Sequence, residues 1–280
     1  MKTESFYQKE RKACCAALFV RNAKGGRNVA EIKTVGLVAR CVNYKENDRI
    51  LTILTPDRGK LTVSSRGCRR PKSPLLACSQ PFCYGEFVLF LNKERYSLNQ
   101  CDLRETFYDL RLDVEKLTAA SYVMGLCQEV MQEEQSAPAL FQLAYYTLSF
   151  LCYGTAPLVD LLLCFLLKLL DQMGYAPATT RCGLCGKSTY EKGWLSEQFG
   201  GLCAACGAVH GGKRVEPLTL EAMRRMLALP MDQMDKVRLP ESVQKDLRFF
   251  VPPYAAHHAG LRAGLPDLLT GLVWKEEALR

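Results

Sequence analysis

Near Thr106 the chain changes its hydrophobic period, from alternation to a repeat of three and four residues. Upstream lie Thr34–Tyr44 (TVGLVARCVNY), Arg49–Thr55 (RILTILT), Lys60–Gly67 (KLTVSSRG), Gly85–Asn92 (GEFVLFLN) and Arg95–Leu103 (RYSLNQCDL). Each is short, rich in β-branched and aliphatic residues, and bounded by turn signals such as Thr55-Pro56-Asp57-Arg58-Gly59. About five strands with no helix-length pattern among them predict a small, closed or nearly closed β-barrel, with an SH3-like barrel as the competing topology. Downstream, Leu117, Ala120, Met124, Cys127 and Met131 mark one helical stripe. Pro138 opens a second helix to about Leu151, which Gly154 and Pro157 break. A third spans Leu158–Met173 (LVDLLLCFLLKLLDQM) and is apolar nearly all round. A membrane span needs about 20 predominantly apolar residues. Asp160, Lys168 and Asp171 interrupt this shorter run, so it reads as a central helix buried on most faces. Further helices are expected near 219–228, 240–251 and 264–273. The fold class is thus α+β and multidomain.

The 280 residues suffice for two domains, and the net charge of +8 is unevenly spread. Residues 1–110 hold 20 Lys and Arg against 11 Asp and Glu, a net +9, while residues 111–280 hold 17 against 18. Such asymmetry points the N-terminal part at a polyanion, the plain alternative being surface charge for solubility. Residues 1–31 carry seven basic residues and a Gly-Gly, and read as a loosely ordered basic extension. The densest cluster is Ser64–Ser73 (SSRGCRRPKS), with Arg66, Arg69, Arg70 and Lys72 and no acidic residue, preceded by Arg58 and Lys60.

Fourteen cysteines and an apolar run at Ala13–Val20 that lacks a cleavage site fit a reducing, cytoplasmic setting rather than secretion. Most of these thiols read as small core residues. Cys182-x-x-Cys185 and Cys203-x-x-Cys206, 17 residues apart and each followed by a glycine, have the spacing of a tetrahedral zinc site with four thiolates. Four protein ligands close the coordination sphere, so this zinc would be structural. Unligated thiols or two redox pairs are the alternatives, and His210 is a substitute ligand. Enzyme signatures are weak: no glycine-rich phosphate-binding loop of the form Gly-x-x-x-x-Gly-Lys-Ser/Thr occurs, His257-His258 is half a metal site, and no carboxylate cluster suggests a two-metal nuclease.

Lys33-Thr34-x-Gly36-Leu37-Val38, YKENDRILTILTPDRGKL, SSRGCRRPKSPL and Gln80-Pro81-Phe82 occur in an order that resembles the bacterial recombination mediator family RecO. The likeness continues at Phe165-x-Leu167-Lys168-Leu169-Leu170 and at Met173-Gly174-Tyr175-x-Pro177, which leads into Cys182. Leu166 departs from the family's frequent Glu, and the C-terminal stretch is less basic than the family's. The resemblance implies an oligonucleotide-binding (OB) barrel over 32–105. A helical domain over 106–280 would follow, carrying a zinc ribbon at about 180–210. It implies a non-enzymatic protein that binds single- and double-stranded DNA, anneals complementary strands and works with RecR. It further implies contact with the single-strand-binding protein, and help to RecA in replacing that protein on DNA, at the nucleoid. On such a barrel, Arg66, Arg69, Arg70 and Lys72 would bind phosphates, extended by Arg58, Lys60, Arg40, Arg49 and Arg95. Tyr44 and Tyr96 are the candidate base-stacking rings, or else barrel-packing residues. Phe165 and Lys168 match the family's pattern for receiving the acidic, apolar-ended tail of the single-strand-binding protein. The competing function is a zinc-ribbon nucleic-acid enzyme such as a metal-dependent nuclease.

Overall fold

A computed structural model describes residues 30–188 and 193–261. The basic extension, apart from its last two residues, and the helix expected at 264–273 lie outside the described residues. Five strands come first: β1 (Ala30–Tyr44), β2 (Asp48–Thr55), β3 (Gly59–Ser65), β4 (Tyr84–Asn92) and β5 (Arg95–Glu105). They hydrogen bond in the order β1-β2-β3-β5-β4, and β4 returns to pair antiparallel with β1 from Ala30↔Leu91 to Leu37↔Tyr84. β3 runs parallel to β5 at Val63↔Tyr96 and Ser64↔Ser97. Alternate residues of each strand point inward. Val38, Leu51, Ile53, Leu61, Val63, Phe87, Leu89 and Leu98 therefore share one core.

The helical part follows as α1 (Val114–Val130), α2 (Pro138–Tyr153) and α3 (Leu158–Gln172). Next come β6 (Gly193–Ser196), β7 (Gly200–Cys203), α4 (Ala204–His210), β8 (Lys213–Val215), α5 (Pro217–Ala228) and α6 (Glu241–Ala259). Asp113 caps α1, its Oδ1 accepting from the Glu115 and Lys116 amides at 2.8 and 3.2 Å. Pro138 opens α2 and Gly154 follows its end. Every residue of α3 from Asp160 to Leu170 is buried, and the helix packs against α1, α2, α5 and α6. Leu166 lies in this core. No helix among the described residues is long and apolar enough to cross a membrane. α6 runs eight residues beyond its expected end, through Pro252-Pro253, because Tyr254 and Ala255 past the prolines still face the core.

The buried charge on α3 is satisfied by later elements. Asp160 Oδ2 accepts from the Leu239 amide at 3.0 Å, and Oδ1 accepts from Gln244 Nε2 at 2.6 Å. Burial raises the Asp160 pKa against these two donors, which lower it. Removing the carboxylate would strand both donors, at about 1–3 kcal/mol for a buried group left unpaired. Asp160→Ala is therefore expected to lower the thermal midpoint clearly, and Asp160→Asn, which keeps one acceptor, to lower it less. Thermal unfolding of both variants checks this.

The chain divides into two compact units, and the division is not a single point. Among the described residues, one unit takes the chain from Ala30 to Ile53 together with Leu61–Glu105, and the other takes Leu54–Lys60 together with those from Thr106 to Leu261. The tip of the β2–β3 hairpin thus groups with the helical unit. There the Pro56 carbonyl accepts from the Ala137 amide at 2.9 Å, and the Lys60 amide donates to the Gln132 carbonyl at 3.0 Å. Gly59 adopts φ +59°, and a Cβ at this position would fall on the carbonyl oxygens of Gln132 and Gln135.

Candidate nucleic-acid surface and cysteine cluster

After β3 the chain makes a series of turns from Arg66 to Cys83 with neither helix nor strand. The start of this segment is pinned to the β1–β2 turn. The Gly67 amide donates to Asp48 Oδ1 at 2.7 Å, and the Arg69 amide to the Asn47 carbonyl at 3.0 Å. One Arg69 guanidinium nitrogen reaches the Glu46 carbonyl at 3.0 Å, and Cys68 is buried beneath. The backbone is fixed while Arg66, Arg69, Arg70 and Lys72 are exposed, and among the described residues none of the four forms an ion pair. Four unneutralised cations thus stand on a turn whose backbone is already anchored, so an anion meeting them would carry little ordering cost at the backbone.

The other candidate cations differ in their surroundings. Arg40 and Arg95 are exposed on β1 and β5. Arg49 is a brace, its Nε donating to Asn43 Oδ1 at 3.2 Å and its NH1 to the Ser79 carbonyl at 2.9 Å. Arg58 and Lys60 sit at the hairpin tip within the helical unit, where Arg58 pairs with Glu134 at 3.0 Å and Lys60 Nζ donates to the Gln128 carbonyl at 3.0 Å. The two candidate rings separate by exposure. Tyr44 is 50% exposed beyond Arg40 and Val42 on the same side of β1, with Lys45 Nζ 5.5 Å from its ring centroid. Tyr96 is only 7% exposed and belongs to the sheet core with Leu98, so the stacking expectation fails for Tyr96.

Phe165 and Lys168 require a similar correction as surface residues. Phe165 is fully buried. Lys168 is 5% exposed, and its Nζ donates to the Leu227 and Leu229 carbonyls at the end of α5. An ammonium placed there donates to carbonyls that the end of a helix leaves without intrahelical partners.

The four cysteines of the two pairs do converge: the ligand atoms of Cys182, Cys185, Cys203 and Cys206 all lie within 4.8 Å of one another. The first pair occupies a tight turn closed by Gly186 at φ +71°, whose amide donates to the Cys182 carbonyl at 3.0 Å. The second pair joins the end of β7 to the first turn of α4. A three-stranded sheet in the order β7-β6-β8 supports both, and Trp194, Phe199 and Leu202 pack beside the sulfurs. A Cβ on Gly207 would strike the Trp194 indole, so only glycine fits after Cys206. Burial works against ionising Cys182, but backbone amides including those of Cys185 and Leu184 outweigh it and hold the thiol down to about 6. The Cys206 amide likewise lowers Cys203. These amides pre-pay the charge of thiolates, and a closed set of four soft sulfur donors fits a structural metal. His210 stacks edge-on against Phe199 at 6.0 Å and is not among the converging ligands.

These elements define a two-unit protein: a ring of five strands bearing an exposed basic turn, and a helical unit bearing a four-cysteine cluster. The family described as Recombination protein O matches through its N-terminal part at residues 29–107 and its C-terminal part at residues 111–264. The chain is 36% identical to the DNA repair protein RecO of Acetivibrio thermocellus over 218 residues, 77% of this chain and 87% of the relative. It is 36% identical to that of Alkaliphilus metalliredigens over 226 residues, 79% and 92% of the two chains. The protein of the same name from Clostridium perfringens is 32% identical over 221 residues, 78% and 89%. The chain belongs to the Recombination protein O family.

Proposed function

We propose that this chain is a non-enzymatic mediator of DNA repair and recombination that binds single- and double-stranded DNA and anneals complementary strands. The observation that carries the reading is the anchored turn with its four exposed, unneutralised cations, in a chain of this family. The strand order with β3 parallel to β5 supports taking the ring as an OB-type barrel, whose groove tracks a phosphate backbone by charge while exposed rings stack on bases. The exposure of Tyr44 supports taking it as the ring for that contact. Stacking contributes about 1–3 kcal/mol per base. Tyr44→Ala should therefore weaken single-strand binding by about 5-fold or more, and Tyr44→Phe should keep it, as measured by fluorescence anisotropy.

The cysteine cluster holds one structural zinc, with Cys182, Cys185, Cys203 and Cys206 as its ligands. RecR is the working partner, and RecA benefits indirectly as single-strand-binding protein is cleared from DNA. The acidic tail of that protein meets the helical unit at a surface other than Phe165 and Lys168, whose side chains are enclosed. The working place is the nucleoid. The test mixes labelled complementary strands with the protein and magnesium or manganese, without nucleotide. Annealing without cleavage is expected, and metal-dependent cleavage would instead establish the nuclease reading.

A further inference from the structure

The segment that carries Arg66, Arg69, Arg70 and Lys72 is held at both ends by two adjacent residues at the start of β2. Asp48 takes the near end, its Oδ1 accepting from the Gly67 amide at 2.7 Å. Arg49 takes the far end, its NH1 donating to the Ser79 carbonyl at 2.9 Å. The two ends also meet each other through the buried hydroxyls of Ser65 and Ser79, 2.9 Å apart. Of these contacts only the Asp48 bond falls inside the basic cluster, since Gly67 stands between Arg66 and Arg69. Asp48 is half-buried, and among the described residues it forms no ion pair. An unpaired negative charge thus lies against the backbone that carries four cations. By its charge alone it should oppose the approach of a polyanion.

We propose that Asp48 is a positioning residue for nucleic-acid binding: its carboxylate holds the basic turn in the conformation that meets phosphate, and this order outweighs the repulsion of its charge. The inference rests on the reading of the turn as a DNA surface. Asp48 touches no phosphate in this role and acts through Gly67 on the arginines to either side. A carboxylate accepting from an amide makes a charge-assisted bond, roughly twice as strong as a neutral one. The other near-end contacts are to neutral carbonyls: the Arg69 amide to Asn47, and the Arg69 side chain to Glu46, both at 3.0 Å. Without Asp48 the cations remain, but the backbone between them has to be ordered each time a strand binds. Ordering the backbone of one residue lowers affinity by a factor of about 5–30. A single surface charge acts on phosphates only through screening water and ions. The ordering effect is the larger, so the sign of the Asp48 contribution is opposite to that of its charge.

The test uses the full chain and a labelled single strand, read by fluorescence anisotropy. Asp48→Ala removes both acceptor and charge, whereas Asp48→Asn removes the charge and keeps an Oδ1 acceptor. Asp48→Ala should weaken binding by about 5-fold or more. Asp48→Asn should bind more tightly than the wild type. Tighter binding by both variants would reduce Asp48 to its charge, and weaker binding by both would show that the acceptor is not what counts; either result overturns the proposal. In the DNA-free protein, exchange of the Gly67 and Arg69 amides, followed by NMR, should quicken in Asp48→Ala and stay near wild type in Asp48→Asn. The amides of the β1–β4 pairing should stay slow in both. A wild type that does not bind the strand would sink the DNA reading instead, and the exchange rates alone would then decide whether Asp48 holds the turn. If Asp48→Ala fails to fold, a wild-type Gly67 amide that exchanges as fast as in an unfolded chain, or weaker binding by Asp48→Asn, overturns the proposal.

Discussion

Replacing Arg66, Arg69 and Arg70 together with alanine is expected to flatten the salt dependence of single-strand binding by about 2 in log K against log salt. Each phosphate contact on a single strand contributes roughly −0.7 to that slope, because each neutralised phosphate releases condensed counterions. The three guanidinium groups extend from an anchored backbone and ion-pair with no carboxylate among the described residues, so their loss removes charge without unpairing an acidic group and releases only the exposed Glu46 carbonyl that Arg69 bonds. Affinity should fall by a similar factor for unrelated sequences, since phosphate contacts carry no base information. Annealing should fall with it. Thermal unfolding should barely move, because exposed loop charges contribute little to stability. Arg58→Ala is the internal control: its guanidinium is engaged by Glu134, and its removal should leave the slope nearly intact. A triple variant with unchanged slope and affinity would make the turn a solvated surface and return the charge to solubility.

Cys182→Ser should lose one zinc per chain and loosen the region around 180–215. Zinc-folded peptides gain an apparent ~10–16 kcal/mol from their metal. The loss here should be smaller, because β6–β8 and the packing of Trp194 and Leu202 share the work of holding the turns. Hydrogen exchange should rise from Cys182 through Val215 and remain slow in the strands of the sheet unit, whose core is separate. Ligand thiols must be deprotonated to bind, so the wild-type metal should be released as pH falls and retained as it rises. Elemental analysis after dialysis at stepped pH measures this. Protein purified without chelator that carries no zinc, with 180–215 protected all the same, would make the cluster a set of packed thiols.

The sequence made some of this legible for a definite reason. Strands of seven or more residues and helices of twelve or more carry enough repeats to reveal their period, which is why β1–β5, α1–α3 and α5 could be read. Strands β6–β8 have three or four residues each and repeat nothing, yet the cysteines they position are plain from spacing alone. Whether a given strand residue faces in or out depends on register, so Tyr44 and Tyr96 looked equivalent until the ring separated them. Arg58 and Lys60 looked continuous with the basic cluster because their partners, Glu134 and the Gln128 carbonyl, lie about 70 residues downstream. For Phe165 and Lys168 the two lines of reading conflicted. A helix apolar all round predicts burial, and that physical reading prevailed over the pattern match.

The grouping of Leu54–Lys60 with the helical unit bears on how the chain matures during synthesis. N-terminal segments emerge first and generally fold as units as they appear. The strands of the ring are all made by Glu105, yet the hairpin tip between β2 and β3 has its backbone partners at Gln132 and Ala137. The Pro56 carbonyl and the Lys60 amide must stay bonded to water while those later residues are still in the ribosome. The hairpin tip therefore leaves the ribosome with these backbone groups unfinished, and the connection between α1 and α2 later completes them on a piece of chain made about 70 to 80 residues before.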